Sequence, residues 1–432
     1  VLGARRWVRV TSSQSPVPSP QNLEAKRTMK TILVTGSDGF LGRNLCVALQ
    51  RMDGLRVLRF DVQNSPAELE HQVAQADFIF HLAGVNRPKD EKEFVEGNSD
   101  LTRLLCSFAE KHASRAPILL SSSTQAASDN AYGRSKRTAE DALIDYSKRT
   151  GVSVLVYRFP NLFGKWSRPN YNSVVSTFCY NVTHDLPIQV NDPAYTVTFA
   201  YVDDVVDECL RQALGAGHWA LGARTQSLEP SSPSPQSPEP SSQNPEPSPQ
   251  FFYEVAETYS VSLGRLAGLV KAFRTVREGG PMPDLSDPFT KKLYATFLSY
   301  YDMDAFAYPA KMNMDNRGWL FELIKSEQFG QIFVSTTHPG ITRGNHGHNT
   351  KVEKFCVIQG LGVIRFRHVV TNDLVEYKVS GEQIQIVDIP PGYTHSIENT
   401  GDTEMITLFW ANEIFNPEKP DTYFEEVIKT QA

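Results

Sequence analysis

Lys30-Thr-Ile-Leu-Val-Thr35 is a short run of apolar and β-branched residues. Leu41, Leu45, Ala48, Leu49 and Met52 then recur at helical spacing. The alternation repeats downstream. Arg56–Asp61, Ala76–Gly84 and Pro117–Ser123 read as strands. Leu101, Leu104, Leu105 and Phe108 mark a helix, and Tyr132 opens the next. Strands alternating with helices predict an α/β unit: a doubly wound parallel sheet covered on both faces. Leu263, Leu266, Ala267 and Val270 carry a later helical pattern, and Phe289 to Tyr301 predicts one more helix before a bridge at Tyr308-Pro309. From about residue 311 the period becomes two. Trp319–Ile324, Gln331–Ser335, Phe355–Ile358, Val363–Arg367, Leu374–Tyr377, Ile384–Ile389 and Met405–Trp410 are short strands separated by turn residues. That spacing predicts an all-β sandwich or barrel.

Composition adds limits. A chain of 432 residues suggests roughly two or three domains, and an apolar fraction of 40% is ample for buried cores. A formal charge of −6 argues against a nucleic-acid surface. No run of about 18 apolar residues is present, so no membrane helix is expected. The five cysteines are odd in number, widely spaced and without a Cys-x-x-Cys pair. They fit reduced thiols and a cytoplasmic location. Residues 1–29 are basic and rich in Ser and Pro. They read as a disordered tail, with a transit peptide as the competing reading. Residues 224–250 are almost all Ser, Pro, Glu and Gln and predict an exposed insertion without a core. The expected units are therefore 30–300, interrupted by that insertion, and 311–432.

The first unit carries two sets of candidate residues. Gly36, Gly39 and Gly42 lie between the first strand and the first helix. Glycines there permit a tight turn and let a pyrophosphate approach the helix N-terminus, which points to a dinucleotide. Asp61 ends the second strand, where an acid would bond a ribose 2′-hydroxyl and favour NAD; Arg59 would instead meet a 2′-phosphate. The strand end Leu82-Ala83-Gly84 would pass along the cofactor, and His81 reads as a hydrogen-bonded strand-end residue. The second set is Tyr132 and Lys136, four apart on one helix face, just after Ser122 and Ser123. The lysine is expected to lower the phenol pKa, and a serine hydroxyl to join the same reacting oxygen. This trio suits hydride chemistry at a C–O bond.

In the β unit, His346, His348, Glu353 and His395 are separated so that neighbouring strands can bring them together. Three imidazoles and a carboxylate suit Zn2+ or another first-row divalent metal.

The first unit resembles the extended short-chain dehydrogenase/reductases that act on nucleotide sugars, a Rossmann-type fold. The resemblance rests on Gly36, Gly39, Gly42, His81–Gly84, Ser123, Tyr132, Lys136, Arg158–Gly164 and Tyr201–Val205. It implies that Phe40 lies at the cofactor and that Asn161 and Asn172 border the substrate. Thr124-Gln125 stand where sugar dehydratases carry Asp-Glu, which argues against dehydration. The arginine that often binds diphosphate before the Val-Asp-Asp stretch is missing, and Lys165 or Arg168 is expected in its place. Arg158 and Asp203 read equally well as an internal ion pair. The β unit resembles the cupins in its His346–Gly360 motif, and less closely at Pro390–Asn399, whose leading glycine is displaced.

Longer runs resemble the CapF/WbjC family of bifunctional enzymes of UDP-N-acetyl-L-fucosamine synthesis. They are Leu82–Pro88, Pro160–Trp166, Arg168–Asn172, Gly344–His346, Gly362–His368 and Pro420–Phe424. The family implies C3 epimerisation of a UDP-4-keto-6-deoxy-N-acetylhexosamine by the cupin. NADPH-dependent reduction at C4 follows, to UDP-2-acetamido-2,6-dideoxy-L-talose. Lys351, Lys354, His368 and Tyr393 are candidates for the epimerase base. Analogy with other cupins implies a homodimer. Two other readings stand beside this one: a single-function ketoreductase with a structural cupin, and a non-enzymatic cofactor sensor.

Overall fold

The structure is a computed structural model and describes residues 29–88, 90–215 and 251–429. The expected tail up to residue 28 and the Ser/Pro insertion 224–250 lie outside the described residues. In order come β1 (Lys30–Thr35), α1 (Phe40–Gln50), β2 (Leu55–Phe60), α2 (Pro66–Val73), β3 (Phe78–His81) and a short α3 (Lys92–Phe94). They are followed by α4 (Leu101–Lys111), β4 (Ile118–Ser123), α5 (Ala131–Thr150) and β5 (Val154–Phe159).

One parallel sheet runs β2-β1-β3-β4-β5 and ends on β8 (Phe252–Tyr253). Ile32 and Val34 pack with α1 on one face, while Leu33 packs with Leu69, Leu105 and Leu143 of α2, α4 and α5 on the other. Both faces of β1 are therefore dry, which explains its unbroken apolar run. The chain leaves β1 for β2 on one side and returns to β3 on the other. The crevice at that reversal, beyond the strand ends, is where ligands enter such sheets.

Local chemistry sets the helix ends. Ser65 caps α2 in a reciprocal box with Glu68, with Pro66 in the first turn. The Asn130 side chain accepts the Gly133 N–H at 2.7 Å and starts α5 one residue before Tyr132. Such a cap contributes about 1 kcal/mol. Gly151 (φ +72°) ends the helix in the left-handed region.

A lobe beside the sheet comprises β6 (Asn161–Phe163), α6 (Val174–Thr183), β7 (Thr196–Tyr201), β9 (Tyr259–Ser262), α8 (Leu263–Val276) and α9 (Pro288–Leu298), while α7 (Val202–Leu214) packs with α1 on the face of the sheet that carries Ile32 and Val34. The helix expected over Phe289–Tyr301 is α9, capped by Asp287 and ending three residues early.

The remaining strands are antiparallel and form two sheets. β10 (Met312–Asp315), β11 (Gly318–Ser326), β12 (Gly330–Thr337), β14 (Glu353–Gln359), β17 (Ile386–Ile389) and β19 (Met405–Ala411) make the larger sheet. β13 (Thr342–Gly347), β15 (Leu361–His368), β16 (Leu374–Ser380), β18 (Tyr393–Asn399) and β20 (Tyr423–Phe424) make the smaller one. Phe355, Ile364, Phe366, Ile397 and Phe409 fill the space between them. The chain is thus a Rossmann-like α/β unit followed by a cupin-like β unit, as the sequence predicts.

β13 and β18 are the neighbouring strands expected to carry His346 and His395, whereas β10 and β20 had no expected counterpart. In β18, Thr394, His395 and Ser396 are buried although polar. An apolar alternation cannot reveal a strand whose inward residues are imidazoles and hydroxyls. All five cysteines are free thiols. Among the described residues no helix is long and apolar enough to cross a membrane.

Candidate active site

A cleft of about 810 Å³ opens at the reversal in the parallel sheet. Gly36, Gly39, Phe40 and Gly42 form one wall, with Leu82 and Gly84 beside them. Gly36 has φ +67°, and a Cβ there would meet the Ala83 nitrogen at 2.6 Å. A Cβ on Gly42 would strike the Gly36 carbonyl at 2.0 Å. The turn can close only on glycine at both positions. It delivers the N-terminus of α1 to the cleft with no acid in its first turn, an arrangement that favours phosphate.

Arg59 and Asp61 sit behind this wall. Both meet at Asp38: Arg59 Nη2 lies 2.5 Å from its carboxylate, and Asp61 accepts its N–H at 2.7 Å. Asp38 itself lines the cleft with Arg43, whose Nη2 donates to the Asp38 carbonyl at 3.1 Å. Neither residue was expected; Asp38 inside the glycine turn and Arg43 just after Gly42 were the available signal.

Ser123 and Tyr132 face the same cleft. Ser123 ends β4, where its hydroxyl accepts the Gln125 N–H at 3.2 Å and sits near enough to the Tyr132 phenol to favour its ionised form. Burial pushes that phenol above its ordinary value, and Ser123 offsets only part of the rise. The expected lowering by Lys136 is not found. The Lys136 ammonium donates to the Ser121 carbonyl at 3.0 Å and lies under Gly84, where a Cβ would come within 2.8 Å of Nζ. Burial pulls Lys136 down to about 8, while the Glu140 carboxylate works in the opposite direction. Ser122 points away from the cleft chemistry and donates to Glu140 at 2.5 Å. Asn98, in a π-helical turn before α4, donates to Ser135 at 2.9 Å and accepts the Val85 N–H at 3.0 Å. His81 is the expected hydrogen-bonded strand-end residue, between the Thr35 and Thr102 hydroxyls.

The expected pair of Arg158 and Asp203 does not form. Arg158 instead binds the buried Glu140 through two nitrogens at 2.9 and 2.6 Å. Asp203 takes Lys165 at 2.5 Å. That contact leaves Lys165 off the cleft wall, whereas Asn161, Arg168 and Asn172 line it. The Arg168 guanidinium lies 5.1 Å from the Tyr171 ring, and Arg87 approaches the same ring at 5.8 Å. Among the described residues neither guanidinium has a carboxylate partner. The backbone of this stretch is strained, with Trp166 at φ +68° and Asn170 at φ +54°.

A second cluster lies between the two β sheets. His346 sits opposite His395 in the β13–β18 ladder, after a bulge at Gly344. His348 follows β13, and Glu353 opens β14. One donor atom from each of the four lies within 4.8 Å of the others. His348 Nε2 is 3.2 Å, and His395 Nε2 3.3 Å, from Glu353 Oε2. Yet neither ring nitrogen of the fully buried His395 makes an aligned hydrogen bond. A buried polar atom without a partner costs about 1–3 kcal/mol, and a cation among these donors would remove that cost. Burial, with His395 beside it, pushes His346 down to about 4 and keeps it neutral, as a ligand must be. Burial alone would raise the Glu353 carboxyl; His348 and His395 outweigh it and hold it well below the usual range. The cluster therefore fits a divalent ion.

Of the candidate bases, Lys354 is exposed and paired with Asp388 at 2.5 Å. Lys351 is buried and donates to the Thr422 hydroxyl at 3.2 Å. The ring of His368 stands edge-on to Tyr393 at 5.0 Å.

Known proteins share this architecture. Residues 32–215 match the NAD dependent epimerase/dehydratase family, and residues 313–423 match the polysaccharide biosynthesis C-terminal domain. The chain is 40% identical to the UDP-2-acetamido-2,6-beta-L-arabino-hexul-4-ose reductase of Pseudomonas aeruginosa, over 91% of this chain and 97% of that one. It is 43% identical to the capsular polysaccharide assembling protein CapF of Staphylococcus aureus. That comparison has a TM-score of 0.78 and covers 92% of this chain and all of the crystal structure's. CapF with the inhibitor 3-isopropenyl-tropolone superposes with a TM-score of 0.74 at 39% identity, over 92% of this chain and all of that one. With such similarity along nearly its whole length, the chain belongs to the CapF/WbjC family of nucleotide-sugar reductases and epimerases of capsular polysaccharide biosynthesis.

Proposed function

We propose that the chain is a bifunctional nucleotide-sugar enzyme. Its β unit, over residues 311–432, epimerises C3 of a UDP-4-keto-6-deoxy-N-acetylhexosamine. Its α/β unit, over residues 30–300, then reduces the C4 ketone with NADPH to UDP-2-acetamido-2,6-dideoxy-L-talose. The observation that carries the reading is that Ser123 and Tyr132 line one cleft, with Lys136 buried beside it, in a chain that also gathers His346, His348, Glu353 and His395. The order follows from chemistry, because the C4 ketone acidifies the C3 proton and must be present during epimerisation.

When bound, the nicotinamide supplies hydride to C4. Tyr132 gives the proton to the C4 oxygen; its raised pKa keeps it protonated and ready near neutral pH. Ser123 donates to the same oxygen, and Lys136, held under Gly84 by the Ser121 carbonyl, is placed to orient the cofactor's ribose. Solvent then reprotonates the phenol. Arg43 and Arg59, both held on Asp38, support NADPH over NADH because guanidinium suits a 2′-phosphate. Asn161, Arg168 and Asn172 border the sugar nucleotide. Arg168, rather than Lys165, meets its diphosphate, with the N-terminus of α6 behind Ser173 alongside.

His346, His348, Glu353 and His395 would hold Zn2+ or another first-row divalent ion. When bound, that ion supplies a positive field that favours an enolate nearby. The exposed edge strand β16, with Leu374, Val375 and Tyr377 at its surface, suits pairing of two chains.

The relative from Pseudomonas aeruginosa is named a reductase, which favours a second reading in which the β unit only braces the protein. NADPH oxidation with UDP-2-acetamido-2,6-dideoxy-4-keto-hexose separates the two. Wild type should form the talo product and His346→Ala should not. The same product from both proteins would make the β unit structural. No turnover with either nicotinamide would sink both readings.

A further inference from the structure

The C-terminal segment from Pro420 to Phe424 crosses the turn that carries the metal-site ligands. It pairs with β13 through Phe424 opposite His346 and Tyr423 opposite Gly347. Just before that ladder lies Asp421, which makes two kinds of contact. Its backbone carbonyl lies 2.5 Å from His348 Nδ1. A carbonyl only accepts, so Nδ1 carries the hydrogen and Nε2 turns toward Glu353. Its carboxylate accepts three successive backbone N–H groups, from Asn349 at 3.0 Å, Thr350 at 2.7 Å and Lys351 at 2.8 Å. The Thr350 hydroxyl adds a fourth bond at 3.0 Å. Those residues are the turn between His348 and Glu353.

One residue thus fixes the ring of one ligand and the turn that spaces it from another. Partners of this sort set how well a ligand is oriented toward a metal. The contact is distant in sequence, 73 residues from His348, so the segment must fold back before the site is complete.

We propose that Asp421 is a positioning residue of the β-unit metal site. Its carbonyl selects the His348 tautomer, its carboxylate holds the ligand turn, and metal affinity depends on both. The inference rests on the metal reading proposed above.

The test uses the full chain with Zn2+ as the probe, in competition with a chromophoric chelator. NADPH binding, measured in parallel, reports on the distant α/β unit. Asp421→Ala should bind Zn2+ about 10–100-fold more weakly and bind NADPH as wild type does. Asp421→Asn keeps an acceptor oxygen but loses the charge, so its loss should be several-fold and smaller. Wild-type Zn2+ affinity in a folded Asp421→Ala protein would overturn the inference alone. Should the alanine variant fail to fold, Asp421→Asn decides: a several-fold loss supports the inference and an unchanged affinity overturns it. A wild-type chain that bound no Zn2+, Mn2+, Co2+ or Ni2+ would overturn the metal reading and this inference together.

Discussion

Replacing Lys136 by methionine is expected to stabilise the protein at neutral pH while abolishing reduction. Lys136 is 6% exposed, and burial pulls its pKa from 10.5 to about 8. At ~1.4 kcal/mol per unit, that gap is about 3 kcal/mol against the charged form in the folded state. The Glu140 carboxylate, four residues on, relieves part of the burial cost and is already included in that value. Methionine fills similar space without the charge. The Ser121 carbonyl loses one donor, which costs about 1 kcal/mol, so the net gain near pH 7 is about 2 kcal/mol. Below pH 8 both folded and unfolded wild-type chains hold the Lys136 proton, and the folded state bears the full penalty. Between pH 8 and 10.5 the unfolded chain holds more protons, so wild-type stability rises with pH. The variant lacks this group, and its advantage should therefore fall by about 3 kcal/mol, from about 2 kcal/mol at pH 7 to about 1 kcal/mol in favour of wild type at pH 10.5. Urea unfolding of both proteins at pH 7 and pH 10.5, followed by tryptophan fluorescence, measures the difference; other titrating groups cancel. A variant less stable than wild type at pH 7, or an advantage unchanged at pH 10.5, would refute the reasoning.

Tyr132→Phe should lower the rate of C4 reduction by about 10²–10⁴-fold with NADPH affinity intact, measured by stopped-flow turnover and fluorescence titration. Gly84→Ala places a methyl 2.7 Å from Asn98 Oδ1 and 2.8 Å from Lys136 Nζ. It should lower stability by about 1–3 kcal/mol and reduction with it, read by thermal melting and NADPH oxidation. Arg59→Ala removes a charged hydrogen bond worth about 1.5–3 kcal/mol. It should raise KM for NADPH about ten- to hundred-fold while leaving KM for NADH within a few-fold, and an equal rise for both would count against the assignment.

Elements set by local patterning were legible from the chain. β1 and α1 follow from one apolar run and one helical period, and Tyr132 and Lys136 share a face because both lie in a single capped helix. The four clustered donors were legible too, because motif spacing is also local. Contacts made across the fold were not. Nothing near Arg158 indicates that it turns to Glu140, 18 residues upstream, instead of Asp203. Lys165 looked free to meet a diphosphate until Asp203 was found beside it. The strands carrying His346 and His395 were legible through the histidine spacing alone, because their buried side chains are polar and the usual period of two has no apolar mark.

The two candidate sites share one energetic property. Among the described residues of the α/β unit a lysine is buried without a carboxylate in contact, and the Ser121 carbonyl meets its ammonium. In the β unit a histidine is buried with neither nitrogen in an aligned hydrogen bond. Other buried charges differ: Glu140 takes Arg158 and Ser122, and Arg367 takes Glu425 and two backbone carbonyls, whereas Lys351 meets the Thr422 hydroxyl. Folding alone gives no reason to keep Lys136 or His395, since an apolar residue of similar size would be more stable at either position. In the proposed mechanism each has an electrostatic task that the chain itself does not complete, Lys136 beside the reacting groups and His395 beside a cation. On the proposed reading, the uncompensated cost at these two positions is what a bound substrate and a bound cation would relieve.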